Sequence, residues 1–280
     1  MNPASAALAA AILRELDRER YLASLVLPED ARPAVTALYA FSAEVAAIRE
    51  RAHGPMPGEI RLQWWRDALT GQGHGEVRQN PVADVLLGAL ERFALPAAPL
   101  LQLLEARRFD LYHDPMPDLP TFEGYAGETV SVLHQLAAMV LNGGRAMETG
   151  DAAGHLGVAQ ALTGHLRAFG YNAAHGRIFL PWSVFAANGV VETEVFSGIS
   201  GEGLIVARRQ LVDLAGVHLG EALKAVAALP RHVRPAFASA ALLPAQLQQI
   251  AATAGEPFAA PADIADWRKI ALLCWRTWLG

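Results

Sequence analysis

The chain has 280 residues, of which 52% are hydrophobic and 18% charged, with a formal net charge of −5. That is enough apolar material for a sizeable buried core, and the slight negative charge leaves no basic field of the kind that attracts nucleic acid or an anionic membrane surface, which disfavours nucleic-acid binding. The one cysteine, Cys274, rules out an internal disulfide or a cysteine-based metal site; it reads as a small buried hydrophobe and fits a reducing compartment.

Along the chain, the start Met1-Asn2-Pro3-Ala4-Ser5 carries no cation, and the apolar run at 6–13 is cut short by Arg14, Glu15, Asp17 and Arg18, so no secretory signal is expected. Apolar residues then recur at helical spacing, as at Leu38, Phe41, Val45 and Ile48, while β-branched alternation is almost absent. This predicts an all-α fold. Helices are expected at 6–25 and, after the Pro28-Glu29-Asp30 turn, at 32–52, where Pro33 suits a first helical turn. Gly54-Pro55-Met56-Pro57-Gly58 breaks the chain before a helix at 59–69, and 71–75 reads as a loop.

Helices resume at 82–93 and 97–112, and the proline-rich stretch 115–120 separates them from a helix at 121–141. The next are expected at 152–170 and, beyond a loop containing Gly198, Gly201 and Gly203, at 204–229; a proline-punctuated tail of short helices follows. No segment approaches the roughly 20 uninterrupted apolar residues of a bilayer span, since even 130–141 contains His134 and Gln135. The expected location is cytoplasmic, with peripheral attachment to the inner membrane left open. The absence of a repeat or linker favours one domain over residues 1–280 and disfavours a helical solenoid.

Two places carry a recognisable pattern. The first runs Tyr21-Leu22-Ala23, Leu27-Pro28 and Ala37-Leu38-Tyr39-Ala40-Phe41; the second is Ala168-Phe169-Gly170-Tyr171-Asn172 followed by Gly176-Arg177-Ile178-Phe179-Leu180-Pro181. Between them stand Arg107-Arg108-Phe109-Asp110-Leu111 and Phe122, Tyr125, Gly127 and Val130. Over roughly residues 15–280 the chain resembles the squalene/phytoene synthase family, which joins two prenyl diphosphates head to head inside an all-helical cavity. The resemblance implies a single-domain, isoprenoid-synthase-like helical bundle around a central cavity.

In that family each of the two places holds an Asp-x-x-x-Asp. Carboxylates four residues apart share a helical face, and two such pairs clamp the Mg²⁺ that neutralises the diphosphate leaving group. Here the positions are Ala46 and Glu50 in the first and Ala168 and Asn172 in the second, so of four carboxylates only Glu50 remains. No residue is assigned a catalytic role. Glu50 is the one candidate metal ligand, and Arg49, Arg177, Asp110, Tyr125 and Glu128 are the candidate substrate-binding residues. The block Met56 to Asp67, with its Trp64-Trp65-Arg66, together with Tyr125-Ala126 and Leu166-Arg167-Ala168, is most similar to the branch of the family that contains the mitochondrial complex I assembly factor and bacterial relatives without the aspartate clusters.

Each candidate also has a structural explanation. Glu50 and Arg49 fit a solvated helical face, Asn172 and His175 fit capping beside Gly176, Arg177 fits a salt bridge, and Asp110 and Glu128 fit interior hydrogen-bonding groups on apolar helices. At least one of Trp64 and Trp65 is expected in the core. The histidines lack zinc-ligand spacing, and none is assigned to a metal.

Two functions remain. The first is a non-catalytic binding or assembly protein without a cofactor, partnered with a respiratory membrane complex or its assembly intermediates and with room for an isoprenoid or lipid ligand. The second is an active Mg²⁺-dependent prenyl transferase in which Glu50, Asp110 and Glu128 hold metal while Arg49 and Arg177 hold diphosphate. The missing carboxylates favour the first.

Overall fold

A computed structural model describes residues 2–278, with side chains through Arg276, and among these residues every regular element is helical. The chain opens with α1 (Pro3–Leu16), capped by the Asn2 side chain, and α2 (Arg18–Leu25), capped by Asp17. The single helix expected at 6–25 is therefore two. Asp17 leaves helical geometry at φ −144° and ψ 83° and turns its carboxylate onto the Arg20 amide. Pro33 stands in the first turn of α3 (Arg32–Ala46), where its missing N–H costs nothing. A bend at Ala47 separates the short α4 (Ile48–Arg51) from α3.

Prolines also open α5 (Pro55–Thr70), α6 (Pro81–Phe93) and α7 (Ala98–Arg107). Gly71, at φ +73°, ends α5 in the left-handed conformation. The helix expected at 97–112 tightens after Arg107 into a 3₁₀ turn over Arg108–Leu111. Asp118 caps α8 (Leu119–Ala126), a π turn over Gly127–Ser131 follows, and α9 (Val132–Leu141) continues from it.

Then come α10 (Gly150–Arg167), α11 (Phe169–Ala174), α12 (Trp182–Ala187) and α13 (Glu192–Phe196); the last two occupy a stretch where no helix was expected. The 27-residue α14 (Glu202–Ala228) packs along α10, and α15 (Leu243–Ala252) and α16 (Asp266–Trp278) close the chain. Gly157 allows α10 to meet the π turn closely, since a Cβ there would lie 2.7 Å from the Ser131 amide nitrogen.

One main core runs from Ala9 to Ile250 and includes Leu38, Phe41, Phe122, Leu162 and Phe185. Trp65 belongs to it, edge-on to Phe41 at 4.9 Å, while Trp64 is half-buried against Trp65 at 5.0 Å. Cys274 is half-buried, a correction to the buried placement expected of it: it lies beside the inward-facing Leu273 and not behind it.

A candidate functional site at the meeting of α4, α11 and the 176–181 segment

Glu50 on α4 is the focus. Its Oε1 accepts a hydrogen bond from Arg177 Nη1 at 2.8 Å and another from Arg49 Nε at 3.0 Å, and its Oε2 accepts from the Tyr171 hydroxyl at 3.1 Å. Burial alone would raise the carboxyl, but the Tyr171 hydrogen bond and the charges of Arg177 and Arg49 hold it below the usual carboxylate range. The two guanidinium groups are mostly enclosed, with side chains 15% and 18% exposed against 38% for Glu50. The group is therefore closed on itself, with two cations around one carboxylate.

Arg49 also lies over the Phe179 ring at 4.7 Å from its centroid, and His165 stacks on that ring at 5.1 Å. Burial, and then the Arg49 charge, push His165 down to about 3, so it is neutral at physiological pH. Phe109 joins this group to a second, standing edge-on to Phe179 at 6.2 Å and to Tyr125 at 6.1 Å.

In the second group Asp110 Oδ1 accepts from the Tyr125 hydroxyl at 2.6 Å and Oδ2 accepts from Arg107 Nη1 at 2.8 Å, while Arg107 Nη1 also donates to the Tyr125 oxygen at 2.7 Å. Burial pushes the Tyr125 phenol well above its ordinary value. Burial would lower Arg107, but the Tyr125 oxygen and Asp110 outweigh it and hold the guanidinium firmly charged.

The candidate residues thus divide. Arg49, Glu50 and Arg177 form one cluster, Asp110 and Tyr125 another, and aromatic rings connect the two. Glu128 is a correction to the interior placement expected of it: it is exposed on the π turn and, among the described residues, its side chain has neither hydrogen bond nor ion pair. The π geometry adds a residue to the turn, and it is Thr129, Val130 and Ser131 that face inward.

The two positions expected to share a helical face in each pair are separated by bends. Ala46 ends α3 before Ala47, and Ala168 stands between α10 and α11 at φ −90° and ψ 7°. Asn172 does not cap with its side chain. It is 3% exposed, its Oδ1 has no hydrogen-bond partner among the described residues, and its backbone carbonyl accepts from Arg177. His175 does cap α11, donating to the Tyr171 carbonyl at 2.7 Å.

Sequence reasoning missed Tyr171, His165 and Arg107 as members of these clusters. The i, i+3 spacing of Arg107 and Asp110 was the available signal; the neighbouring Arg108 turns outward to Glu59 and Glu105. Beside the clusters, a cleft of about 190 Å³ lies among α2, α10 and α15, lined by Asp17, Glu19, Arg20, Gln160 and Gln246 as well as apolar groups.

A family model described as squalene/phytoene synthase matches residues 13–269. The rat NADH dehydrogenase (ubiquinone) complex I, assembly factor 6, is 29% identical over 239 residues, spanning 85% of this chain and 72% of that protein. A 15-cis-phytoene synthase of Synechococcus elongatus is 26% identical over 266 residues, 90% of this chain and 86% of that one. Among solved structures, a dehydrosqualene synthase with bound ligand superposes with a TM-score of 0.82 at 21% identity, covering 96% of this chain and 94% of the other. A squalene synthase from Alicyclobacillus acidocaldarius gives 0.76 at 19% identity, covering 91% and 96%. The helical fold is that of these enzymes.

Proposed function

The chain belongs to the squalene/phytoene synthase family, and we propose that within it this protein is a non-catalytic member acting in the assembly of a respiratory membrane complex, as the name of its mammalian relatives describes for NADH dehydrogenase complex I. The observation that carries this reading is the engagement of Glu50, the one carboxylate left at the family's four acidic positions, by Arg49 and Arg177.

Those residues do not fit a magnesium cluster. Mg²⁺ takes hard oxygen ligands in near-octahedral geometry, whereas Ala46 and Ala168 offer no donor, Asn172 offers a neutral oxygen, and Glu50 is neutralised by two guanidinium groups. The rearranged site, in which Glu50, Asp110 and Glu128 would share metal, loses two members: both Asp110 oxygens are taken by Tyr125 and Arg107, and Glu128 is exposed.

Purified protein incubated with farnesyl or geranylgeranyl diphosphate and Mg²⁺ is expected to yield no C30 or C40 hydrocarbon. Turnover near the enzymatic median of about 10 s⁻¹ would overturn the non-catalytic reading. Loss of the gene in its host is expected to lower the amount of fully assembled NADH dehydrogenase on native gels; an unchanged amount would overturn the assembly role.

A further inference from the structure

Where α14 packs along α10, two histidines face each other. His155 Nδ1 on α10 lies 3.0 Å from His218 Nδ1 on α14, although the residues are 63 apart in the chain, so no ligand spacing in the sequence could show the pair. The ring centroids are 5.1 Å apart and the planes are tilted by 51°, which means that the rings point their Nδ1 edges at one another and do not stack. On the far side of His218, Nε2 lies 3.6 Å from Glu123 Oε1 of α8. Both imidazoles, Glu123 and Asp151 line one open cleft of about 280 Å³, and among the described residues no Lys or Arg lines it. Gly127 and Gly154 line it as well, and a Cβ at either would meet nothing within 4 Å, so the space beside the imidazoles is open.

We propose that His155 and His218 are the ligands of a site for a divalent metal ion of the imidazole-preferring class, Zn²⁺ foremost, bound through the two Nδ1 atoms and with His218 oriented by Glu123. A metal-bound imidazole nitrogen stands about 2.0–2.1 Å from the ion. Two such nitrogens are therefore about 2.9 Å apart when they subtend a right angle and about 3.3 Å apart at the tetrahedral angle, and the observed 3.0 Å falls between these limits. A carboxylate on the far nitrogen is the arrangement that fixes the tautomer of a ligating histidine: it keeps the His218 proton on Nε2 and leaves the Nδ1 lone pair for the ion. His155 frees its own Nδ1 by taking the other tautomer, so binding needs no net loss of a proton. Histidine χ2 is a broad torsion, and each ring can pivot to aim at an ion on the cleft side of the Nδ1–Nδ1 line. Burial, and then the neighbouring His155, hold His218 below its ordinary value, which keeps it a neutral donor at physiological pH.

The donor set selects the metal class. Imidazole suits Zn²⁺, Cu²⁺ and Ni²⁺, whereas Mg²⁺ and Ca²⁺ take oxygen ligands. Among the described residues no three His, Cys, Asp or Glu donors are already gathered, so the imidazoles are the fixed part of the site and water fills the remaining positions. Asp151 is the carboxylate able to replace one of those waters: it is exposed, lines the cleft and precedes His155 by four residues on the same face of α10. An ion held here ties α10 to α14 and, through Glu123, to α8. The site shares no residue with the Glu50 or Asp110 clusters and does not depend on the assembly reading.

The test is isothermal titration of the full chain, free of any affinity tag and treated with EDTA, with Zn²⁺, alongside thermal unfolding. Wild-type protein is expected to bind one equivalent and to melt at a higher temperature in excess Zn²⁺, because an ion that binds only the folded state stabilises it. His155→Gln and His218→Gln are each expected to lose about a hundredfold in affinity together with the rise in melting temperature, and Glu123→Gln, which leaves both ligands in place, about tenfold. His74→Gln, at an exposed loop histidine outside the cleft, is expected to bind as wild type. The proposal is overturned if wild-type protein binds no Zn²⁺, if both cleft variants bind with unchanged affinity, or if His74→Gln weakens binding as much as they do. If the cleft variants unfold before titration, the electron paramagnetic resonance spectrum of one equivalent of Cu²⁺ on wild-type protein decides: splitting from two coordinated nitrogens supports the site, and its absence overturns it.

Discussion

Replacing Asp110 by Ala removes the carboxylate from a cluster in which Arg107 and Asp110 have side chains only 12% and 4% exposed. The lost Coulomb attraction is the smaller part of the cost. The larger part is the guanidinium of Arg107 left buried without its counter-charge, and breaking a buried pair from one side costs about 3–5 kcal/mol, a large fraction of the roughly 5–15 kcal/mol that holds a domain together. Asp110→Asn keeps an oxygen for the Tyr125 hydroxyl but loses the charge and the second acceptor that faces Arg107 Nη1, so a cost of about 1.5–3 kcal/mol is expected. The combined variant Arg107→Met/Asp110→Leu/Tyr125→Phe removes all the buried polar groups together and should be more stable than Asp110→Ala, because nothing is left unpaired. Equilibrium urea unfolding with unchanged slope reads all three. If Asp110→Ala falls within about 1 kcal/mol of wild type, or the triple variant is the less stable, the cluster is not the structural ion pair described here.

Two further outcomes follow from the packing. His165 titrates at about 3 in the folded state against an ordinary value near 6.5, so between those values the unfolded chain binds more protons. The stability it contributes is complete above pH ~6.5 and falls with decreasing pH by at most about 1.4 kcal/mol per unit; His134, also lowered by burial, adds in the same direction. Urea midpoints at pH 7, 6 and 5 should therefore decline, and less steeply in His165→Gln; a profile unchanged by that substitution would remove His165 as the cause. Gly157→Ala is expected to destabilise by about 1–3 kcal/mol because its Cβ meets the Ser131 backbone, whereas Gly216→Ala on α14, facing open space, should stabilise by about 0.5–1 kcal/mol. Melting temperatures of the same sign for both would contradict the close approach of α10 to the π turn.

The all-α fold was legible because 3.6-residue periodicity records which face of each helix is buried, and Leu38, Phe41, Val45 and Ile48 are all in the core. The helix breaks at Ala47 and Ala168 were not, since alanine favours helix, whereas the break at Asp17 had a local signal that was passed over, an aspartate suited to N-capping the Arg18-Glu19-Arg20 turn. The absent carboxylates could be counted in the sequence. What Glu50 does instead could not, because its partners Arg177 and Tyr171 are 127 and 121 residues away and only the fold brings them together. Glu128 failed for a local reason: the π turn shifts the helical register, so a position counted along a regular helix lands on the wrong face.

The segment Gly176 to Pro181 is held in place by contacts that need no diphosphate. Gly176 takes φ +68°, which favours glycine. The Ile178 carbonyl accepts from the Met116 amide at 2.9 Å, and Trp182, just past Pro181, donates to the Met116 carbonyl at 2.7 Å, so the segment is tied to the proline-rich connection before α8. Ile178, Phe179 and Leu180 are buried, Phe179 between the aromatic groups of both clusters and under Arg49. Arg177, the one charged member, is spent on Glu50. Every residue of the landmark thus has a packing or pairing role that requires no diphosphate, and its spacing follows from those roles. The match is strong evidence for the fold and, with Ala168 and Asn172 eight and four residues before Gly176, none for the reaction.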